Sequence, residues 1–401
     1  MTHGHNGLAA RPARGTRPRN RRQLIVEAAA ALLTERGYRA LAMSDVAEAV
    51  AVSPSALYRH FRSKDDLLAT VIEEAITDVG AVMSDNDTPA GTAVVLAQAA
   101  VSNRSAGVLY RREARHLPAG NRERLRTITR ETGGRLAKQL RRQRPELGEA
   151  ASHLLAWCAL GVGNSISYHH LSLPEPEFTN VLAALISVPL QADPSVGSVQ
   201  IGERTATVRP RSRREAILSA ATDLFAGKGF SGVNIDDIGA AVGIAGPSIY
   251  NHFAAKTDIL AAAIFRGSES LWMDYDRVLS GADSAGAALT GVVSSYQRFA
   301  FDHPNTLALL RFELSKLPEP ERQRALETQR AYIDEWVHLI RLVDPAATPT
   351  ESRIRVQACQ EMINEVAGSR QLRAMSGAGT AIVGIGADLL QARAGADKAA
   401  P

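Results

Sequence analysis

Apolar residues recur at intervals of three and four positions along most of the chain, which is the spacing of amphipathic helices. Ile25, Ala29 and Leu32 follow this spacing until Gly37, and glycine readily takes the backbone conformation that ends a helix. Alanine-rich stretches such as 28–31 recur, and aromatic residues make up only 5% of the chain. Alanine favours helix, whereas strands prefer branched and aromatic side chains. The pattern therefore predicts an all-α protein.

The same pattern occurs twice in the chain of 401 residues. Residues 21–70 align with residues 213–262 at a constant offset of 192, and 17 of these 50 positions are identical. A second match, between 110–118 and 310–318, has an offset of 200. The whole unit of about 190 residues is therefore duplicated. A period this long predicts two fused globular units, since solenoid repeats are much shorter.

Near the start of each copy the pattern predicts a helix-turn-helix. In the first copy a short second helix passes through Val46 and Val50. Pro54 fits the first turn of a third helix over residues 55–61, because its missing N–H would be unpaired there anyway. Ser63 is placed to cap a fourth helix. Two short helices separated by a tight turn are typical of this motif.

Both copies carry the same short motifs around the predicted third helix. In the first copy they are Gly37-Tyr38, Asp45-Val-Ala47, Val52-Ser53, Leu57-Tyr-Arg-His-Phe61 and Lys64-Asp-Asp-Leu-Leu68. In the second copy they are Gly229-Phe230, Asp237-Ile238, Gly243-Ile244, Ile249-Tyr-Asn-His-Phe253 and Lys256-Thr-Asp-Ile-Leu260. These motifs resemble the N-terminal signature of the TetR family of bacterial transcriptional regulators. The resemblance implies an Ω-shaped helical fold, in which a three-helix DNA-binding head sits on a larger helical body that holds a small-molecule ligand and the dimer interface.

The resemblance also implies two kinds of DNA contact. Polar side chains at the end of the third helix and the start of the fourth would face phosphates: Tyr58, His60, Lys64, Tyr250, His252 and Lys256. Residues at and after the start of the third helix would enter the major groove and contact bases: Ser53, Ser55, Ala56, Arg59, Ala245, Gly246, Ser248 and Asn251. A packing role is the alternative for Tyr58, and a merely solvated side chain is the alternative for the lysines.

One position departs from the family pattern. The family usually has a hydroxyl residue at the start of the second helix to hold a phosphate, whereas this chain has Ala42 in the first copy and Asn234 in the second. Asn234 can cap the helix and donate to phosphate. The first copy would contact that strand less well, or through Ser44 instead.

Arginines precede both predicted heads, six of them within residues 11–22 and five within residues 204–214. They are embedded in Pro, Gly and Ser, which would keep the segments flexible. Such arms can enter the minor groove and neutralise phosphates, and a solubilising tail is the alternative. The arginines next to the heads are therefore candidate DNA contacts: Arg21, Arg22, Arg213 and Arg214.

These features divide the chain into six expected segments. They are a flexible basic arm (1–19), a first head (20–68), a first body (69–190), a linker (191–210), a second head (211–260) and a second body (261–395). Each body ends in a pair of helices with apolar stripes, which in the resembled family form a four-helix bundle between two subunits. Because both pairs lie in one chain, we expect an intramolecular pseudo-dimer, with a homodimer of whole chains as the alternative.

The bodies differ in charge, which bears on the ligand. Residues 104–144 contain 13 basic and 3 acidic residues, whereas residues 304–344 contain 6 and 7. A solvated arginine-rich helix face is one interpretation. The others are an anionic ligand such as an acyl-CoA, or an interface between the two unlike faces.

Several classes of protein are disfavoured. No signal peptide, membrane span, phosphate-binding loop or hydrolase motif is present, so we expect a cytoplasmic protein that is not an enzyme. Cys158 and Cys359 lie in apolar helical patterns and are expected to be free thiols. The adjacent His169 and His170 would point to different sides of a helix, so we expect no metal and no cofactor.

The function expected from these features is sequence-specific binding to a double-stranded DNA operator. The favoured hypothesis is a repressor that is released by a small hydrophobic or anionic effector, for example an acyl-CoA or lipid-like molecule. The alternative is a constitutive DNA-binding or architectural protein without a ligand.

Overall fold

The computed structural model describes residues 21–81, 88–197 and 212–392, and all regular elements in these ranges are helices. The prediction of an all-α protein is therefore confirmed. The predicted N-terminal arm (1–19), most of the predicted linker (198–210) and the last residues of the second body (393–395) lie outside the described residues. Within the described part of the chain, none of the helices is both long enough and apolar enough to span a bilayer.

In its described residues, the first unit contains nine α-helices. They are α1 (Arg21–Ala40), α2 (Met43–Ala49), α3 (Pro54–Leu57), α4 (Lys64–Ala81), α5 (Pro89–Ser102), α6 (Ala106–Val108), α7 (Ala119–Gln143), α8 (Glu149–Asn164) and α9 (Glu177–Gln191). A π-helical turn (Leu109–Glu113) and a 3₁₀ turn (Ala114–His116) connect α6 to α7, and another 3₁₀ turn (Ser165–Tyr168) follows α8.

The second unit repeats this order within its described residues. Its helices are α10 (Arg213–Lys228), α11 (Ile235–Val242), α12 (Lys256–Gly281), α13 (Ala285–Asp302), α14 (Pro304–Phe312), α15 (Glu319–Val343), α16 (Pro349–Gly368), α17 (Arg370–Arg373) and α18 (Ala378–Gln391). The counterpart of α3 is a 3₁₀ helix (Gly246–Asn251). Both α4 and α12 begin in a head and continue into the body, so each head is joined to its body by an uninterrupted helix.

The helix boundaries follow from local sequence. The helical conformation of α1 breaks at Gly37, whose φ is 76°, and the equivalent Gly229 ends α10 with a φ of 74°. Only glycine takes such a conformation without a steric cost. The Ser63 hydroxyl accepts a hydrogen bond from the Asp66 N–H at the start of α4, as predicted. The third helix is shorter than the predicted span 55–61, because its last residues form tight i to i−3 hydrogen bonds after Leu57.

Buried apolar residues form two separate cores. The first head shares a small core with the segment 109–125, through residues such as Leu109 and Leu117. The first body, the second head and the second body share one continuous larger core. Both cysteines are fully buried free thiols within this larger core, as predicted.

The closing helices of the two units pack against each other. The main contact is between α8 and α16, and α9 also contacts α18. The backbones approach closely at Gly161, where an added Cβ would lie only 2.9 Å from the Cα of Met362. Polar contacts between the units surround this apolar seam: Arg111 pairs with Glu365, and Arg115 pairs with Glu313. Helices α8, α9, α16 and α18 therefore pack together within this one chain.

Candidate nucleic-acid interface

The turn between α2 and α3 is built by a left-handed residue and a capping serine. Ala51 has a φ of 54°, and the equivalent residue in the second head is Gly243, with a φ of 71°. The Ser53 hydroxyl accepts a hydrogen bond from the Ala56 N–H, 3.2 Å away, and so caps α3. Ala245 occupies the equivalent position of Ser53 and has no side chain that can cap. The two heads therefore share a backbone path but differ in the polar atoms at its start.

Two buried apolar residues, four positions apart, orient the third helix of each head. Leu57 is fully buried and Phe61 is 1% exposed, whereas Tyr58 between them is 52% exposed. The second head has the same arrangement, with Ile249 fully buried and Tyr250 53% exposed. Burying one side of this short segment leaves its phenol, and the imidazole that follows two residues later, in solvent. Each head thus presents hydrogen-bonding groups on a surface that its core holds in place.

The predicted DNA contacts fall into three groups by burial. Fourteen of the twenty side chains are exposed: Arg22, Ser44, Ser53, Ser55, Tyr58, Arg59, His60, Arg213, Arg214, Asn234, Ala245, Tyr250, Asn251 and His252. Five are half-buried: Arg21, Ala56, Lys64, Ser248 and Lys256. Gly246 is buried.

Both lysines are engaged within their own head. The Lys64 ammonium donates hydrogen bonds to the backbone carbonyls of Tyr38 and Leu41, at 2.8 and 2.9 Å, and lies 4.3 Å from the centre of the Tyr38 ring. Lys256 makes the same contacts with the carbonyls of Phe230 and Val233. Two of the three ammonium donors are therefore used inside the protein. This geometry favours a structural role for the lysines over the phosphate contact expected from the sequence.

Gly246 does not offer a surface to a base. It lies beneath the carboxylate of Asp236, with which an added Cβ would overlap. Glycine is required there because Asp236, at the start of α11, packs over the backbone of the recognition segment. The expectation that Gly246 contacts a base therefore needs correcting, and the exposed Asp236 is the group present at that point.

Asn234 acts as a helix cap. Its Oδ1 accepts a hydrogen bond from the Asp237 N–H at 2.7 Å, and Asp237 in return accepts from the Asn234 N–H. In the first head, the Ala42 N–H donates a hydrogen bond to the Asp45 carboxylate. The reciprocal bond is missing there, because the Ala42 side chain has no acceptor. Ser44 is exposed one residue into α2, where a side chain can reach the solvent side of the turn.

The arginines at the heads lie against aromatic rings. The Arg22 guanidinium lies 5.3 Å from the Phe61 ring and pairs with Glu74. The Arg214 guanidinium lies 4.5 Å from the Phe253 ring. Arg213 donates to the Val242 carbonyl at 3.0 Å. These contacts hold the start of each first helix on its head and leave the arginines partly exposed.

The two heads differ in charge at equivalent exposed positions. Arg59 is replaced by Asn251, Arg62 by Ala254 and Arg39 by Ser231, while Ser44 is replaced by Asp236. The Arg62 guanidinium makes no hydrogen bond or ion pair with any described residue. Arg62 and Asp236 were absent from the sequence prediction, although a position-by-position comparison of the aligned copies would have found both. The first head is thus the more positive of the two.

A second feature lies in the bodies. A cavity of about 230 Å³ opens between α12, α13, α14, α15 and α16 of the second body, and Tyr168 of the first unit completes its wall. Among the described residues of the first unit, a small pocket of about 30 Å³ lies between α4, α5 and α8 and the turn that follows α8, and a separate cleft of about 520 Å³ with many charged side chains lies between α4 and α7. The described residues contain no group of three or more side chains placed to hold a metal ion.

The family of this chain follows from comparison with known proteins. A family model described as "Bacterial regulatory proteins, tetR family" matches residues 25–71 and again residues 217–263. Each match covers the three helices and the exposed recognition segment described above, which define a helix-turn-helix protein with two such heads. The two matched segments, one in each head, belong to the TetR family of bacterial regulatory proteins and occur in tandem.

Two curated regulators and one solved structure are similar to this chain. The HTH-type transcriptional repressor KstR2 of Mycolicibacterium smegmatis is 27% identical over 133 residues, which cover 31% of this chain and 64% of that protein. The HTH-type transcriptional activator FasR of the same organism is 26% identical over 121 residues, 30% of this chain and 55% of that protein. The structure of ketosteroid transcriptional regulator KstR2 of Mycobacterium tuberculosis is 17% identical, with a TM-score of 0.42, over 46% of this chain and 95% of that chain. The chain thus spans about half to two thirds of the curated relatives' lengths.

Proposed function

We propose that this chain is a sequence-specific DNA-binding transcriptional regulator, in which each head contacts one half of a double-stranded operator. The observation that carries the proposal is the exposure of Tyr58 and Tyr250 on segments whose neighbouring apolar residues are fully buried. Half-exposed phenols beside His60 and His252 supply hydrogen-bond donors that suit phosphate oxygens. The domain boundaries expected from the sequence are part of this proposal.

The base contacts of the proposal come from the exposed side chains of the recognition segments. In the first head they are Ser53, Ser55 and Arg59, and in the second head Asn251 with the half-buried Ser248. Arginine can hold a guanine through two hydrogen bonds, and asparagine can hold an adenine in the same way. The lysines are assigned to holding the loop between the first two helices rather than to phosphate, because their ammonium groups bind backbone carbonyls.

The chain is proposed to act as a pseudo-dimer. The packing of α8 on α16 places two heads on one molecule, as a homodimer would do with two chains. The Gly161 crossing supports this proposal, because α8 and α16 approach so closely there that a Cβ at position 161 would lie 2.9 Å from the Met362 Cα. Static light scattering at high dilution is expected to give the mass of one chain. A mass of two chains that persists on dilution would contradict it.

The regulator is proposed to be a repressor. A small molecule that binds in the second body would release it from DNA. The cavity touches α12, the helix that continues from the second head, so a ligand can bias the position of that head. Coupling between such sites is typically about 1–3 kcal/mol. The name of the KstR2 relative, a transcriptional repressor, supports this direction of control, and FasR, named an activator, is the opposite precedent.

A binding selection followed by mutation tests the proposal. DNA enriched from a random duplex pool would be labelled and titrated with the protein by fluorescence anisotropy. The double variant Tyr58→Ala/Tyr250→Ala should bind about tenfold or more weakly, because two charge-assisted hydrogen bonds are lost. Met273→Ala is the matched control, since Met273 is 65% exposed on the body part of α12. Failure to enrich any DNA, or equal losses in both variants, would overturn the proposal.

A further inference from the structure

Aromatic rings line one side of the cavity in the second body. Trp272, Tyr296 and Tyr332 all line it, and the Trp272 and Tyr332 rings meet edge to face with their centroids 5.6 Å apart. The Tyr296 hydroxyl donates to the Oδ1 of Asn364 at 2.9 Å, which fixes this ring. The electron-rich faces of tryptophan and tyrosine attract cations as well as apolar rings. This wall therefore suits a flat, positively charged molecule.

A buried carboxylate with one unpaired oxygen lies on the other side. Glu361 lines the cavity and is only 4% exposed. Its Oε2 accepts hydrogen bonds from Arg311 and Asn364, whereas its Oε1 has no hydrogen-bond partner among the described residues. Burial raises the pKa of this carboxyl, as expected for an incompletely compensated charge. A buried acceptor without a donor is costly, so a ligand that brings a donor gains free energy there.

The charges around Glu361 disfavour an anion. Arg311 already pairs with Glu361, and its guanidinium lies 4.8 Å from the Tyr168 ring. Arg111 is likewise paired, with Glu365 one turn further along α16. A carboxylate or phosphate would place a third negative charge beside two glutamates whose arginines are taken. A protonated amine would instead find the free oxygen of Glu361.

The first body cannot bind a second molecule in the same way. Trp157 of α8 packs directly on Gly133 of α7, where an added Cβ would lie 2.7 Å from the indole ring. At the equivalent positions the second body has Gln357 and Ile333, which line its cavity. Gly161 stands where the second body has Glu361, so the carboxylate is also missing. The indole thus fills the first body, and the acidic group exists only in the second.

The cavity also sets the size of the ligand. A volume of about 230 Å³ lies below the range of about 300–1,000 Å³ that is typical of drug-sized ligands. It accommodates one or two fused rings with a short substituent and is too small for a whole acyl-CoA. Of the effectors expected from the sequence, the acyl-CoA is therefore too large for this space, whereas a small hydrophobic molecule is not.

We propose that the second body binds a single compact aromatic amine per chain, with its ammonium group on the Oε1 of Glu361 and its rings against the wall formed by Trp272 and Tyr332. The amine loses no proton and forms no covalent bond. This inference rests on the proposed function in one respect only, namely that the cavity is the effector site.

Three matched probes test the ligand class: 1-naphthylmethylamine, 1-naphthalenemethanol and 1-naphthoic acid. They share one ring system and carry a cation, a neutral donor and an anion at neutral pH. Isothermal titration of the full chain should show the amine binding at one site per chain, and about tenfold more tightly than the alcohol, because a charge-assisted hydrogen bond replaces a neutral one. The acid should be the weakest. Equal or tighter binding of the alcohol or the acid, no binding of the amine, or two sites per chain would each overturn the inference.

A variant pair locates the site. Glu361→Gln should lose the preference for the amine over the alcohol, while Glu351→Gln, the same change on the same helix away from the cavity, should keep it. Both variants would be checked for native helix content by circular dichroism, and the probe series in the unmodified chain stands if Glu361→Gln does not fold. DNA binding is measured separately without probe. DNA binding without amine binding would refute only this inference, and amine binding without DNA binding would refute only the proposed function.

Discussion

The unequal charge of the two heads leads to a quantitative prediction about salt. Arg62 is exposed beside the recognition segment of the first head, and its guanidinium has no partner among the described residues, whereas the second head has Ala254 at this position. Its backbone N–H donates to Asp66 at 3.0 Å, so removing the side chain leaves the start of α4 intact. We expect Arg62→Ala to remove one phosphate contact and Ala254→Arg to add one.

The size of the effect follows from counterion release. Each phosphate contact contributes about 0.9 to the slope of the logarithm of affinity against the logarithm of salt concentration. Arg62→Ala should therefore flatten the slope by about 0.9, so that the loss of affinity between 50 and 200 mM salt becomes about threefold smaller. Ala254→Arg should steepen the slope by the same amount. Specific and nonspecific DNA should respond alike, because a phosphate carries no sequence information.

Fluorescence anisotropy with a labelled operator at three or more KCl concentrations measures these slopes. Arg330→Ala is the control, because it removes the same charge from an exposed position on α15, in the second body. Its slope should equal that of the unmodified chain. If Arg62→Ala and Arg330→Ala change the slope equally, the effect is one of net charge only. If neither Arg62→Ala nor Ala254→Arg changes it, residues 62 and 254 do not face the DNA.

Three further predictions concern the heads and the first body. Exchanging Arg59→Asn with Asn251→Arg should reverse the orientation in which the protein footprints an asymmetric operator, and an unchanged footprint would mean that the heads contact the same bases. Lys64→Ala should lower the free energy of unfolding by about 1–3 kcal/mol, since two partly buried carbonyls lose their donor, while the salt slope of DNA binding stays the same; a flatter slope would indicate that Lys64 contacts a phosphate. Burial, together with the charges of Arg104 and His170, lowers the pKa of His169 from 6.5 to about 3, so folding favours its neutral form. The contribution of the neutral His169 to stability should be complete above pH 6.5 and be lost as the pH falls toward 3. Urea denaturation should therefore show that His169→Asn loses less stability on acidification than the unmodified chain. Equal pH profiles for the two proteins would contradict this.

Local sequence rules predicted the parts of the structure that depend on near neighbours. The break at Gly37, the cap at Ser63 and the tandem repeat needed only spacing, glycine and hydroxyl positions.

The parts that depend on distant segments were not predictable. The carbonyls that bind Lys64 lie more than twenty residues earlier in the chain, so their position depends on how the loop before α2 folds. The burial of Gly246 depends on Asp236, which sits on a different helix. Tyr168 reaches the cavity of the other unit only because α8 crosses α16. None of these encounters leaves a periodic signal in the sequence.

The close crossing at Gly161 has a consequence for how such a chain can change. In a homodimer every substitution at the twofold seam appears twice, so a residue there must be compatible with its own copy. In this chain Gly161 meets Met362 and Glu365, and each side can vary alone. A large polar residue is tolerated on α16 because its counterpart on α8 has no side chain. Because the two units are fused in one chain, the residues at this contact need not be complementary to copies of themselves. One unit can therefore keep a ligand cavity while its counterpart in the other unit is filled by side chains.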